Sequence, residues 1–175
     1  MPKIIENLRD KILDEGKKAL ITQGYKNASI RDITKACGIG TGTFYNYFNN
    51  KGELAVEVFE RDWSMIIISI QAIVKADISL KDKLFQIFLY VDGFLKNHIS
   101  VFVEMSKEDY TYNEVDVMAP LYEAIEEILL FHKNKGDITS SVELAKLTKF
   151  LVYNLTNISK QKFMTFDEFY ALLNL

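Results

Sequence analysis

Residues 29–54 read SIRDITKACGIGTGTFYNYFNNKGEL, and this stretch decides how the chain is interpreted. Ser29 is followed three residues later by Asp32, a pairing typical of a helix N-terminus, where side-chain oxygens accept otherwise unpaired backbone N–H groups. The helix that starts there is predicted to end at Gly38, because glycine adopts the left-handed backbone conformation that terminates helices. The first part of the stretch therefore predicts one short helix with a defined start and end.

A second short helix is predicted from Gly40 or Thr41 through Phe48, and Asn50 with Glu53 predicts the start of the next one. Two short helices joined by a tight glycine turn have the shape of a helix-turn-helix. Such a pair packs as a rigid block only if its inner faces are apolar. The positions that fit the inner faces are Ile30, Ile33, Ala36, Ile39, Phe44 and Phe48.

The stretch resembles the N-terminal signature of TetR/AcrR-type regulators. The shared pattern is a polar cap, an isoleucine-containing helix, an alanine-x-glycine turn, a helix rich in threonine, tyrosine and phenylalanine, and a lysine before an acidic-leucine pair. Gly40 and Gly52 depart from the family, which commonly has small polar or acidic residues at those positions. Beyond Leu54 only length and helicity fit, so the resemblance covers roughly the first third of the chain.

The resemblance implies phosphate contacts at the two ends of the motif. Ser29 would bind a phosphate through its hydroxyl and the exposed N–H groups of its helix. Arg31 would contact a phosphate or a guanine edge, although it could instead form a surface ion pair with Asp32 or Asp10. Lys51, at the start of the fourth helix, would bind a phosphate.

The resemblance also implies that the exposed side of the third helix enters the major groove. Its two threonines would contact phosphate or a thymine methyl group, and the glycine between them would allow close approach. Its two tyrosines would reach the DNA backbone through their hydroxyls, and the asparagine between them would read a base edge. These residues are Thr41, Gly42, Thr43, Tyr45, Asn46 and Tyr47. The first tyrosine could instead belong to the core.

The charge distribution supports this placement. The whole chain has a formal net charge of −3, which argues against a DNA-binding protein. Residues 1–52, however, hold nine basic and five acidic side chains, a surplus of four positive charges, and the remainder therefore carries seven negative charges. A basic head on an acidic body is expected when only one end of the protein meets phosphate.

The rest of the chain has helical periodicity throughout, so the predicted fold is all-α: a three-helix DNA-binding domain, residues 1–52, joined by a continuous helix to a helical body, residues 53–175. The first helix is predicted to end near Gly24. Residues 99–117 are predicted to be less regular. Further helix starts are predicted at Glu53, at Ser79 with Asp82, near Pro120, at Ser140 with Glu143, and at Thr165 with Glu168.

The resemblance implies that the body binds a small-molecule effector and forms a homodimer. Aromatic and sulfur-containing side chains could line an apolar pocket, although simple core packing explains each of them equally well. The candidates are Trp63, Phe88, Phe102, Met105 and Tyr110. Apolar stripes within residues 121–132 and 144–158 are candidates for the dimer interface, the alternative being packing within one chain.

Other function classes find no support in the sequence. Cys37 is the only cysteine, and His98 and His132 have no partners at metal-ligand spacing, so neither a disulfide nor a metal site is predicted. No nucleophile with a partnered base and no phosphate-binding loop occurs, which predicts neither catalysis nor a cofactor. The most apolar run, residues 63–74, is too short for a bilayer, and the N-terminus does not read as a signal peptide. We expect a cytoplasmic protein.

The sequence therefore predicts a homodimeric transcriptional regulator that binds a double-stranded palindromic operator, with repression relieved by a small-molecule effector. The alternative is a helical module that binds a ligand or protein and has lost DNA recognition. The split charge and the polar face of residues 41–47 favour the first hypothesis.

Overall fold

The computed structural model describes residues 7–108 and 114–173, and within these ranges it contains helices and no strand, as predicted for an all-α fold. The helices are α1 (Leu8–Asn27), α2 (Ile30–Cys37), α3 (Thr41–Phe44), α4 (Lys51–Val74), α5 (Leu80–Met105), α6 (Glu114–Lys135), α7 (Leu144–Gln161) and α8 (Phe166–Leu173). A short 3₁₀ turn, Ser106–Glu108, follows α5.

The chain forms two compact units. The first comprises the described residues up to Trp63 and those from Lys96 to the gap at 109–113, and the second comprises Ser64–Leu95 and the described residues after that gap. Helices α4 and α5 thus contribute one segment to each unit. This division differs from a boundary at residue 52, because the start of α4 and the end of α5 pack into the core of the first unit. That residues 1–52 alone meet DNA stays a prediction.

The core of the first unit is one apolar cluster made by five helices. It contains Ile12, Leu13, Leu20, Tyr25, Ile33, Cys37, Phe44, Phe48, Leu54, Val58, Val101 and Met105, among others. Gly16 lets α1 approach α4 closely, since a Cβ atom there would lie 2.8 Å from Leu54 Cδ2. α1 does not end at Gly24 as predicted. A non-helical Gly24 (φ 77°) kinks it, and one further turn continues to Asn27.

Polar contacts also join the helices of the first unit. Lys17 Nζ lies 2.7 Å from Asp62 Oδ2 and His98 Nε2 lies 2.9 Å from the same oxygen, so that α1, α4 and α5 meet at one aspartate. Burial lowers the pKa of His98, partly offset by the hydrogen bond to Asp62. Arg61 and Asp14 form a second pair between α4 and α1 at 2.8 Å.

The second unit is held together mainly by α6 packed against α7. The apolar stripes predicted on these helices are buried within the single chain, so their packing is intramolecular. Buried stripe residues are Leu121, Ile125, Ile128, Leu129, Leu147, Leu151, Leu155 and Ile158. A buried polar contact ties α5 to α7, because Ser159 Oγ donates to Asp92 Oδ1 over 2.8 Å and Lys162 also pairs with that carboxylate.

Three expectations about helix boundaries were wrong. α5 stays helical to Met105, into the stretch predicted to be irregular, because its last turns pack into the first unit's core. Pro120 lies inside α6 rather than at its start. It removes only one helical hydrogen bond, which the buried stripe of α6 outweighs. Glu143 precedes α7 without a side-chain cap, and Ser140 Oγ accepts the Val142 N–H instead.

In the described part of the chain no helix is long and apolar enough to cross a membrane.

Candidate nucleic-acid interface

α2 begins with the predicted cap. Ser29 Oγ accepts the backbone N–H of Asp32 over 3.2 Å, which leaves the hydroxyl proton free to donate outward. Arg31, the second residue of α2, is exposed, and in the described ranges its guanidinium pairs with neither Asp32 nor Asp10. The alternative of a surface ion pair at Arg31 is therefore not what the structure shows.

The turn after α2 has the hydrogen bonds of a Schellman motif. Gly38 adopts φ 73°, its N–H donates to Lys35 O over 3.1 Å, and the N–H of Ile39 donates to Thr34 O over 3.0 Å. Lys11 Nζ also donates to Cys37 O over 3.0 Å, so a cation from α1 stabilises the same helix end. Gly38 is required for its backbone conformation, as predicted.

α3 is shorter than predicted. Only Thr41–Phe44 are α-helical, and turns carry the chain on to Phe48. In these turns the N–H of Asn46 donates to Thr43 O over 3.2 Å and that of Tyr47 to Phe44 O over 2.9 Å, an i to i−3 spacing. Gly40 precedes α3 without a side-chain cap, which accounts for the weak helix.

One side of α3 is buried and the other is exposed. Phe44 and Phe48 are inaccessible to solvent, with ring centroids 5.5 Å apart, and they fix the segment to the core. Tyr45 is 53% exposed and Tyr47 37% exposed, so the prediction that Tyr45 points outward is confirmed. Their hydroxyls make no hydrogen bond to the described part of the protein. Of the remaining predicted contact residues, Thr41, Gly42 and Asn46 are exposed and Thr43 is half-buried.

Ala36 was predicted to pack inside the motif and is exposed instead. The buried side of α2 is formed by Ile33, Thr34 and Cys37, and Ala36 lies at the edge of that side, where it is open to solvent.

Lys51 has a role that the sequence did not reveal. Its ammonium donates to the carbonyls of Tyr25 and Ala28, the latter over 3.1 Å, with Lys26 O at 3.4 Å. It also lies 4.4 Å from the centroid of the Tyr25 ring. The carbonyls at the end of α1 attract a cation, as helix C-termini do. A phosphate at Lys51 would have to share or displace these bonds.

The positive charge of the head is concentrated near α2. Three basic side chains of α1 pair with acids, namely Arg9 with Glu57, Lys17 with Asp62 and Lys18 with Glu15. Lys11 and Lys51 bind carbonyls, and Lys3 lies outside the described residues. The exposed cations without an ion-pair partner in the described part of the head are Lys26, Arg31 and Lys35. Lys26 and Lys35 are thus additional candidate phosphate contacts that the motif did not indicate.

Of the five predicted effector residues, the four that the structure describes are divided between the two units. Met105 belongs to the core of the first unit, and Phe102 lies edge-on to Phe59 in the same unit, 4.3 Å between centroids. Trp63 is buried at the end of that unit's part of α4, whereas Phe88 belongs to the second unit. Tyr110 lies outside the described residues.

Phe88 does line a groove of about 570 Å³ within the second unit, between α5, α7 and α8. Four of its ten lining residues are phenylalanines, and the ring centroids of Phe85 and Phe88 lie 5.1 and 5.6 Å from that of Phe166. The lining residues are Phe85, Phe88, Ile158, Lys162, Phe163, Met164, Thr165, Phe166, Asp167 and Glu168. Sequence reasoning missed most of them because they follow α7 rather than share a helical stripe.

These features give the first unit the architecture of a helix-turn-helix, with a capped α2, a glycine turn and exposed polar residues in and after α3. Residues 12–58 match the family model described as bacterial regulatory proteins, tetR family. This match covers 47 of the 175 residues, so the part of the chain that holds α2 and α3 is similar to that family.

Individual proteins give the same result over a similar region. The chain is 36% identical over 63 residues to an HTH-type transcriptional regulator of Staphylococcus aureus strain USA300, covering 36% of this chain and 30% of that protein. It is 27% identical over 73 residues to the fatty acid metabolism regulator protein of Bacillus subtilis strain 168, covering 42% and 38%. The matched region thus spans between 30% and 38% of these relatives.

The likeness of fold extends further along the chain. A solved structure of the transcriptional regulator FadR from Bacillus subtilis, in complex with stearoyl-CoA, superimposes with a TM-score of 0.67 at 17% identity. The superposition covers 87% of this chain and 86% of that one. It shows that the two proteins share a fold.

Proposed function

We propose that this protein is a TetR-type transcriptional regulator that docks on double-stranded DNA through the start of α2 and the exposed side of α3. The observation that carries the proposal is the outward face of residues 41–47, whose polar groups have no partners in the described part of the chain. Phe44 and Phe48 anchor this face to the core, so it is presented rigidly. Unpaired hydroxyls and amides on a segment that is fixed to the core are what base and phosphate contacts require.

The proposed contacts have two roles: some position the protein on the DNA backbone, and others recognise the bases. Ser29 and Arg31, with the exposed cations Lys26 and Lys35, would bind phosphates on either side of the groove. Tyr45 and Tyr47 would reach the sugar-phosphate backbone through their hydroxyls. The residues left to contact bases or their methyl groups are Thr41, Thr43 and Asn46, with Gly42 allowing close approach.

The test is a fluorescence anisotropy titration with the DNA upstream of the protein's own gene. Tyr45→Ala should weaken binding roughly tenfold or more, because it removes a contact from the centre of the interface. Tyr90→Ala removes a comparably exposed tyrosine from α5 in the second unit and should leave the affinity unchanged. The logarithm of the affinity should fall with the logarithm of salt concentration by about 0.9 per phosphate contact.

Equal binding by both variants would refute the assignment of residues to the interface. A folded wild-type chain that binds no DNA at low salt would refute the function itself and support the alternative, a helical module that has lost DNA recognition.

We further propose that the protein is a repressor and that its effector carries a long acyl chain. Two similarities support this class: one relative is named a fatty acid metabolism regulator, and the FadR structure of the same fold holds stearoyl-CoA. The groove in the second unit is lined by four phenylalanines together with Lys162, Asp167 and Glu168, and it is of ligand size. Stearoyl-CoA should therefore lower DNA affinity in the titration, whereas coenzyme A without the acyl chain should not. No difference between the two compounds would eliminate this effector class.

We propose that the regulator acts in the cytoplasm and as a homodimer. A dimer is expected because two α3 segments spaced by roughly 34 Å would read the two halves of a palindrome. The dimer would use residues 121–132 and 144–158. The apolar side chains that these ranges leave exposed are Leu130, Phe131, Phe150 and Tyr153.

A further inference from the structure

Residues 25–28, the last turn of α1 and its C-cap, lead into the start of α2 and are held by two side chains of opposite charge. The N–H side of this turn is held from α5, since Glu104 Oε2 accepts the backbone N–H of Lys26 over 2.7 Å. Its carbonyl side is held from α4 by the ammonium of Lys51. Ser29, the cap of α2, follows this turn directly.

Because of the kink at Gly24, the backbone N–H of Lys26 needs an acceptor from outside its own helix. In a regular helix the N–H of Lys26 would donate to the carbonyl four residues earlier, but the non-helical Gly24 interrupts that ladder. A charged acceptor makes a stronger bond to such an N–H than a neutral one. Gly24 also permits the approach, because a Cβ atom there would lie 3.3 Å from Glu104 Oε1.

The end of α5 is fixed in the first unit on both sides of Glu104. Val101 and Met105, one turn before and one residue after it, are each 4% exposed within the apolar cluster. The bond to Lys26 therefore has one rigid end, in α5. Its other end is a short turn whose helical hydrogen bonds are incomplete.

We propose that Glu104 is a positioning residue for DNA binding: by holding Lys26 it sets the place of Ser29 and Arg31 relative to α3. The inference rests on the proposed function. Glu104 would not touch DNA itself, and its negative charge opposes DNA binding. If Glu104 acts by positioning, removing its carboxylate should weaken DNA binding. If only its charge mattered, removing it should strengthen DNA binding.

The experiment compares Glu104→Ala with Asp14→Ala in the anisotropy titration. Each variant removes one carboxylate and one negative charge from the first unit, but Asp14 pairs with Arg61 and does not contact the turn. Glu104→Ala should weaken DNA binding about fivefold or more, whereas Asp14→Ala should leave it unchanged or strengthen it. Glu104→Gln keeps an acceptor for the Lys26 N–H and should recover most of the loss.

A second readout separates positioning from a general loss of stability. If Ser29 and Arg31 no longer reach their phosphates, the salt dependence of Glu104→Ala should become shallower by about 0.9 per lost contact. Hydrogen exchange at the Lys26 amide should also accelerate in Glu104→Ala and not in Asp14→Ala. Equal DNA affinities of these two variants, or a Glu104→Gln as weak as the alanine variant, would overturn the inference. No binding by the wild type would refute the proposed function instead, while the amide exchange would still show whether Glu104 holds the turn.

Discussion

Gly42 lies on the exposed side of α3, and nothing in the described part of the protein requires a glycine there. Its φ is not in the left-handed region, and a Cβ atom would meet no other atom within 4 Å. Glycine inside a helix costs roughly 0.5–1 kcal/mol relative to alanine. The stability of the protein alone would therefore favour alanine, and the proposed close approach of DNA supplies a reason for glycine.

Gly42→Ala should raise the free energy of unfolding by roughly 0.5–1 kcal/mol and weaken DNA binding. Urea denaturation measures the first effect and anisotropy the second. Gly93→Ala is the matched control, because Gly93 is an exposed glycine in α5 whose Cβ position is equally open. The control should gain similar stability at unchanged DNA affinity. A Gly42→Ala variant that binds DNA as well as the wild type would show that α3 does not approach DNA at this position.

Lys51 makes a contact within the protein that the motif did not predict. The resemblance implied a phosphate contact, whereas the ammonium holds carbonyls at the end of α1. This contact joins residues more than twenty positions apart, so only the tertiary structure brings the donor to its acceptors. Ser29, by contrast, caps its own helix, and its contact with Asp32 could be predicted from the identities of these two residues alone.

At the scale of helices, starts with local caps were predicted well. The pairs at Ser79 and at Thr165 both form: Ser79 Oγ accepts the Asp82 N–H over 3.1 Å, and the Glu168 carboxylate accepts the Thr165 N–H over 2.7 Å. The latter bond lowers the pKa of Glu168. Such caps form between residues three positions apart, so the local sequence is enough to predict them.

Helix ends that depend on packing were predicted poorly. α5 runs on to Met105 because Val101 and Met105 are buried in a core made largely by α1 to α4. α3 ends early as an α-helix because an uncapped glycine precedes it, and Phe44 and Phe48 hold its turns in place. Distant apolar contacts thus override the local pattern in α5, whereas the short α3 has a local cause and distant contacts hold only the turns that follow it.

For the whole molecule, the exposed apolar side chains on α6 and α7 concern the proposed dimer. Tyr153, on α7, is 69% exposed, far more than a core residue would be. Tyr153→Glu should raise the dissociation constant of the dimer at least tenfold, because a charge in an apolar interface is desolvated without a partner. It should also weaken DNA binding, since a monomer contacts one half-site only. Sedimentation equilibrium and the anisotropy titration measure the two effects.

The control for the dimer is Met65→Glu, which places the same charge on an exposed apolar position of α4. It should leave the sedimentation behaviour unchanged. A Tyr153→Glu variant that dimerises like the wild type would exclude this face of α7 as the interface.

By itself the sequence determined the helical class, the capped start of α2, the glycine turn and the outward face of α3. These features depend on periodicity and on contacts between residues that are close together in the sequence, so the local sequence is enough to predict them. Only the tertiary structure decided that α5 reaches the core of the first unit. It alone placed Lys51 and Glu104 on the turn before α2, and it separated the predicted effector residues between two units. The physical reason is that these outcomes depend on which helices meet in space, and helical periodicity fixes the buried side of a helix but not its partner.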